Sequence, residues 1–300
     1  MTKDEIKLAL KQAEKKILTD EERAKLDGSF INLPSGNTHY EVKGEGALVV
    51  LTHGYATPYY IYDKIFECLV SNGYKVLRYD LLGRGYSERV NEEYNAELFA
   101  RQLDDLTSAL FGEEKFYLVG TSMGGIITTT FYKNHPEKVK KLILLAPAGM
   151  DTFKAPFYMK VAKCPRLGEL VFYNIAGPML LKKTTSELYY VSDEEKDYYQ
   201  RSFAGPIQYK GFLKATLSSL RHTILRTDLA MIGYEKVAED KLPMLVIWGT
   251  IDKTMPYYQI DRMKEVCPHA QFITYENSGH IFLYDQGDKT NHDILEFLRK

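Results

Sequence analysis

Long apolar stretches are missing from this 300-residue chain: no run approaches the length, about 18 residues, that would suggest a membrane span. Residues 1–18 are broken throughout by Lys, Asp and Glu and lack the continuous apolar core of a secretory leader. Cysteine is scarce. The three present, Cys68, Cys164 and Cys267, are odd in number and far apart, with no CxxC pair. That pattern argues against a disulfide framework or a zinc site and suits a reducing compartment, so the expected setting is the cytoplasm. An excess of either charge is missing too. With 39 basic and 40 acidic residues, the formal net charge of −1 gives no reason to expect nucleic acid or an anionic membrane as partner.

What is present is an ordinary globular composition, 45% hydrophobic and 26% charged, sufficient to bury a substantial core. Residues 2–26 read as two short helices, because Thr2 with Glu5 and Thr19 with Glu22 are each spaced as capping boxes. Ile6, Leu10, Ala13 and Ile17 form a narrow apolar stripe opposite lysines; docking on the protein itself is favoured over contact with a membrane surface. After Gly28, short and nearly continuous apolar runs alternate with helical patterns. The runs are residues 47–51, 75–79, 116–119, 141–145, 244–248 and 271–275; the intervening helices include 60–71, 96–111 and 123–134. Such runs are expected of parallel strands buried on both faces, and the alternation predicts an α/β sheet with helices on both sides. It breaks between about 151 and 240, where no strand is legible and helical patterns run over 187–203 and 209–225. The predicted organisation is an N-terminal helical extension (1–27), an α/β core (28–150 and 240–300) and a helical cap (151–239).

Gly120-Thr121-Ser122-Met123-Gly124 matches G-x-S-x-G, a pattern that chance supplies in roughly one chain of this length in ten. Its context makes it specific: an apolar strand leads in and a helical pattern leads out, as a nucleophile elbow requires. The serine must sit at a tight bend, so residues two before and two after it must lack bulk. The predicted nucleophile is Ser122. A tetrahedral oxyanion needs two converging donors, and backbone N–H groups supply them without reorganisation. One is expected from Met123. The other is expected from Tyr55, which follows the strand ending in His53-Gly54. His53 itself reads as a hydrogen-bonding brace for that loop, not as a base.

The run at 244–248 leads into Gly249-Thr-Ile-Asp252, and the run at 271–275 leads toward Ser278-Gly-His280. Strand ends on one edge of a parallel sheet converge, which predicts Asp252 as the acid that orients His280, the base. The chain order Ser, Asp, His is the one this type of fold uses. Asp151, beyond the run at 141–145, is a competing acid; Asp252 is favoured because it follows its strand at once. His135 reads as a helix cap, and His222 as core or surface.

Together, His53-Gly54-Tyr55, Tyr79-Asp-Leu-Leu-Gly-Arg-Gly-Tyr-Ser87, Gly120-Thr-Ser-Met-Gly-Gly125, Gly249-x-x-Asp252 and Ser278-Gly-His280 resemble the α/β-hydrolase superfamily from about Phe30 onward. The resemblance is strongest to its capped group of carboxylesterases, monoacylglycerol lipases and carbon–carbon bond hydrolases. It implies that Ser122, Asp252 and His280 are catalytic and that Tyr55 and Met123 line the oxyanion hole. Asp80, Gly83, Gly85 and Ser87 match a family loop read as structural. Serine at the elbow sets the chain apart from dehalogenases and epoxide hydrolases, whose nucleophile is aspartate, and neither the HGGG nor the HGGPG form of the oxyanion loop is present. No cofactor and no metal are implied.

Twelve aromatic residues between Phe153 and Phe212 suggest an apolar acyl or aromatic group beneath the cap, although most are expected simply to pack cap against core. The leading expectation is a hydrolase of small to medium esters. The alternatives are a hydrolase of carbon–carbon bonds in vinylogous diketones and, less favoured, a non-catalytic ligand receptor on the same fold.

Overall fold

The computed structural model describes residues 13–176 and 186–300, which build an eight-stranded sheet. Its strands are β1 (Ser29–Leu33), β2 (Gly36–Lys43), β3 (Leu48–Thr52), β4 (Lys75–Tyr79), β5 (Phe116–Thr121), β6 (Val139–Leu145), β7 (Met244–Gly249) and β8 (Gln271–Tyr275). They lie in the order β1-β2-β4-β3-β5-β6-β7-β8. The pairs β1–β2 and β2–β4 are antiparallel and all others parallel. All five residues of β3 are buried, and because alternate side chains point to opposite faces, both faces of the sheet are covered there.

The helices of the first half are α1 (Asp20–Arg23), α2 (Asp63–Ser71), α3 (Ala96–Phe111) and α4 (Met123–Asn134). Asn95 starts α3 by accepting the Leu98 N–H at 2.9 Å, and Leu98, Phe99, Leu103 and Leu106 form its buried stripe. Between β6 and β7 the described residues contain no strand. They form α5 (Phe157–Ala162), α6 (Leu167–Val171), α7 (Asp193–Ala204), α8 (Phe212–Ser219) and α9 (Thr227–Glu239). Ser192 and Glu195 close a full capping box at the start of α7. The last helices are α10 (Gln259–Val266), α11 (Phe282–Asp285) and α12 (Gly287–Arg299). One layer packs α3, α4 and α9 together; α2 and α12 pack in another.

Two findings depart from the sequence reading. It began the sheet at residue 47, yet β1 and β2 precede that point. Both mix polar with apolar residues, are for the most part only partly buried and lie on the sheet's antiparallel side, so they carry no continuous apolar run. The second departure is at the N-terminus. Residues 13–19 are not helical: Glu14 and Lys16 N–H groups donate to the Ile207 and Gln208 carbonyls, and Lys210 N–H donates back to Lys16. Ala13 packs against the core while Ile17 is 65% exposed, so these two do not share a docked helical stripe. Thr19 does cap α1 by accepting the Glu22 N–H. Thr2, Glu5, Ile6 and Leu10 lie outside the described residues.

The loop after β4 is braced by a buried carboxylate. Asp80 accepts from the Tyr59 and Tyr86 N–H groups and meets His39 Nδ1 at 2.7 Å, while the Ser87 hydroxyl donates to the Asp80 carbonyl. Burial opposes the charged forms of both partners, but their mutual attraction and hydrogen bond outweigh it, raising the His39 pKa and lowering that of Asp80. Asp80→Ala leaves these donors unanswered and is expected to cost about 3–5 kcal/mol, read as a lower urea midpoint at an unchanged m-value. A midpoint equal to wild type would contradict the bracing role.

Candidate active site

The chain leaves β3 outward to β4 and returns to β5 on the other side, so β3 and β5 are neighbours at the point where the strand order reverses. Loops that leave their C-terminal ends diverge there and open a crevice. The loop after β3 carries His53, Gly54 and Tyr55; β5 runs straight into Ser122.

Ser122 has φ +54° and ψ −122°, a conformation L-residues rarely adopt. The surroundings hold it there. Its N–H donates to the Leu145 carbonyl at 3.0 Å, and its own carbonyl accepts from Gly125 and Ala148, each at 2.9 Å. The bend works only without flanking side chains: a Cβ at Gly124 would meet the Thr52 carbonyl oxygen at 2.3 Å, and one at Gly120 the Gly124 oxygen at 2.6 Å. A Cβ at Gly54 would lie 3.5 Å from Ser122 Oγ, so the segments bearing Tyr55 and Met123 run side by side at the serine. Met123 opens α4, where N–H groups have no carbonyl one turn earlier to bind and favour negative charge.

His53 is fully buried and braces the loop after β3. Its Nε2 accepts the Leu81 N–H at 2.9 Å, which leaves Nδ1–H to donate to the Gly54 carbonyl at 3.0 Å. Burial pushes its pKa down to about 4, so the ring stays neutral. Arg84, which the sequence reading passed over, donates from Nε to the Tyr55 carbonyl at 2.9 Å and fixes the orientation of that peptide. Burial pushes its pKa down to about 10, and it remains a cation at neutral pH.

In the loops that follow β7 and β8, Asp252 Oδ2 and His280 Nδ1 are 2.7 Å apart. Asp252 is buried, and its Oδ1 accepts the N–H groups of Thr254 at 2.9 Å and Met255 at 2.7 Å. Trp248, fully buried at the end of β7, donates its indole N–H to the Met255 carbonyl at 2.9 Å, so the sheet itself anchors the aspartate loop. The Asp252 carboxylate makes His280 Nδ1 the protonated nitrogen and leaves Nε2 for a hydroxyl. Burial alone would lower the His280 pKa; the Asp252 charge, their hydrogen bond and the nearby Glu187 carboxylate outweigh it and raise the pKa above the ordinary histidine value. No hydrogen bond joins the Ser122 hydroxyl to His280 among the described residues; such contacts are commonly loose before substrate binds.

Asp151, the competing acid, is exposed and holds Arg262 through two bonds of 2.9 and 3.1 Å. It does not reach His280. His222 is half-exposed and nearest Glu93, and His135 terminates α4. Of the buried aromatics of the inserted segment, Tyr199 meets Tyr60 and Tyr284 edge-on and Tyr209 meets Tyr86, whereas Phe203 and Phe212 meet each other within the segment. The Tyr158 side chain lies outside the described residues. Glu187, unforeseen in the sequence, contacts both site loops; its partners are some 66 to 93 positions away, and no local pattern marks it.

A mostly parallel sheet with a strained serine at the point of strand reversal and an Asp–His pair in the loops after its last two strands is the architecture of an α/β hydrolase. Residues 47–286 match the family model described as alpha/beta hydrolase fold, and the chain belongs to that family. It is similar to Lipase 1 of Psychrobacter immobilis, 25% identical over 297 residues, covering 97% of this chain and 90% of the lipase. It is also similar to a 2-hydroxy-6-oxononadienedioate/2-hydroxy-6-oxononatrienedioate hydrolase of Burkholderia vietnamiensis, 27% identical over 284 residues, covering 90% of this chain and 95% of that enzyme. Among solved structures, an esterase from Exiguobacterium antarcticum superposes with a TM-score of 0.76 at 21% identity, covering 91% of this chain and all of that one, which speaks for the fold alone. Among the described residues, no helix is long and apolar enough to cross a membrane.

Proposed function

We propose that this chain is a serine hydrolase of carboxylic esters that works through an acyl-enzyme. The observation that most supports the reading is the 2.7 Å Asp252–His280 pair on the same sheet edge as the strained Ser122. His280 Nε2 takes the Ser122 proton as Oγ attacks the ester carbonyl carbon, and the N–H groups of Tyr55 and Met123 hold the oxyanion. The intermediate collapses, and the C–O bond breaks as His280 returns the proton to the departing alcohol. Water, deprotonated by the same imidazole, then attacks the acyl carbon; the acid leaves and Ser122 regains its proton. Asp252 orients the ring and stabilises its charged form without taking the proton.

We read residues 151–239 as a cap over this edge. Tyr190 donating its hydroxyl to the Asn277 carbonyl at 2.9 Å supports that reading, as does the Tyr189 ring lying against Gly279, beside His280. Small to medium acyl or aromatic esters suit such a surround. The three cysteines are unpaired, which suits the cytoplasmic setting. A second reading, hydrolysis of carbon–carbon bonds in vinylogous diketones, is favoured by the similarity to the Burkholderia enzyme.

Assaying p-nitrophenyl esters of graded chain length beside a ring-cleavage diketone separates the two. Saturable ester turnover with little diketone consumption is expected. Diketone cleavage without ester turnover would transfer the assignment to the second reading.

A further inference from the structure

We propose that Glu187 is a positioning residue for this reaction, its single carboxylate tying together the two loops that carry Asp252 and His280. The inference rests on reading those two side chains as acid and base. Glu187 Oε2 accepts the His280 backbone N–H at 3.0 Å and the Lys253 N–H at 3.3 Å. Its Oε1 takes the Thr254 hydroxyl in a short contact. Lys253 and Thr254 immediately follow Asp252, and the Thr254 N–H binds Asp252 Oδ1. The acid loop is therefore gripped from within by the Asp252 carboxylate and from outside by Glu187. The same outside group fixes the backbone of His280.

The choice of a carboxylate is informative. Glu187 is only 8% exposed, yet its three partners are neutral donors, and no ion pair of Glu187 exists among the described residues. A buried charge that meets only neutral donors among the described residues is costly, and a glutamine would serve the two N–H groups equally well. What the carboxylate adds is a field at the imidazole. Among the described residues, the charged groups acting on His280 are Asp252, from the loop after β7, and Glu187, from the inserted segment. Both carboxylates favour imidazolium, the form His280 takes in each transition state. Asp285, on α11, is turned to the Tyr189 N–H instead. Docking of the inserted segment thus contributes to catalysis through one residue.

Two variants separate geometry from charge. In Glu187→Gln the amide oxygen keeps the N–H groups and the amide nitrogen can donate to Thr254, so only the charge is lost. Its kcat at alkaline pH is expected to fall a few-fold, because the imidazolium of the transition state loses one of the two charges that favour it. The acid limb of its kcat/KM profile should move to lower pH, and His280, followed by NMR in a Ser122→Ala background, should titrate lower as well. In Glu187→Ala both loops lose their tether, and kcat at alkaline pH is expected to fall on the order of 10²-fold with a smaller change in KM. If Glu187→Ala does not fold, the NMR titration of Glu187→Gln decides. Wild-type acid limb and titration in Glu187→Gln, or wild-type kcat in a folded Glu187→Ala, would overturn the inference alone provided Ser122→Ala and His280→Ala are inactive. Activity in those two would overturn the site reading and the inference with it.

Discussion

Ser122→Ala or His280→Ala is expected to cut ester turnover by on the order of 10⁴–10⁶-fold, because nucleophile and base act as a unit and losing either removes the covalent route. The size of the loss separates this account from a role in binding alone. An alanine that merely loosened substrate contact would raise KM and leave kcat standing. Here kcat itself should collapse while KM changes little, since the oxyanion donors and the apolar surround are untouched. The elbow sharpens the point: Ser122 owes its position to backbone bonds with Leu145, Gly125 and Ala148, none of which involves its hydroxyl. Removing Oγ should therefore leave the fold, read by thermal unfolding, essentially as it was. A variant with near-wild-type kcat contradicts the assignment.

Asp252→Asn is expected to lower kcat by about 10⁴-fold, while Asp151→Asn leaves it unchanged. The amide is nearly isosteric, so the loop should survive; what changes is the proton on the ring. Asparagine can present its NH₂ to Nδ1, which turns the proton onto Nε2 and removes the lone pair that accepts from Ser122. The pH profile carries a second signature. The base must be neutral to act, so activity falls as pH drops through the His280 pKa, and in the wild type that pKa is raised chiefly by the Asp252 charge against the opposing effect of burial. Residual activity in Asp252→Asn should persist to lower pH than in wild type. The control at Asp151 follows from its exposed bidentate bond to Arg262, remote from the ring. Equal losses in the two variants would contradict the placement of the acid.

The parts of the molecule legible in the sequence share one property: their signal is local. Strands β3 to β7 announce themselves because burial on both faces demands nearly continuous apolar residues; the partly exposed edge strand β8, α3 and α4 also fall on the residue ranges the sequence predicts. The elbow is readable because a strained serine excludes side chains at fixed neighbours. What stayed hidden is set by distant partners. Residues 13–17 carry an apolar spacing that suits a helix, but the backbone groups of Ile207, Gln208 and Lys210 recruit this stretch into a pairing no local pattern encodes. Strands β1 and β2 alternate polar and half-buried residues at an edge and so mimic loop. Arg84 and Glu187 take their significance from a carbonyl and from N–H groups that the fold alone delivers. The meeting of Asp252 and His280 is legible because both follow strands whose ends the parallel topology brings together.

The central claim is that Ser122 is a nucleophile activated by His280. Treating the protein with a fluorophosphonate and mapping the modified peptide by mass spectrometry tests it most directly. The account predicts a single adduct on Ser122, absent from Ser122→Ala and formed far more slowly in His280→Ala. An adduct on another residue, or one that forms at the wild-type rate without His280, would contradict it.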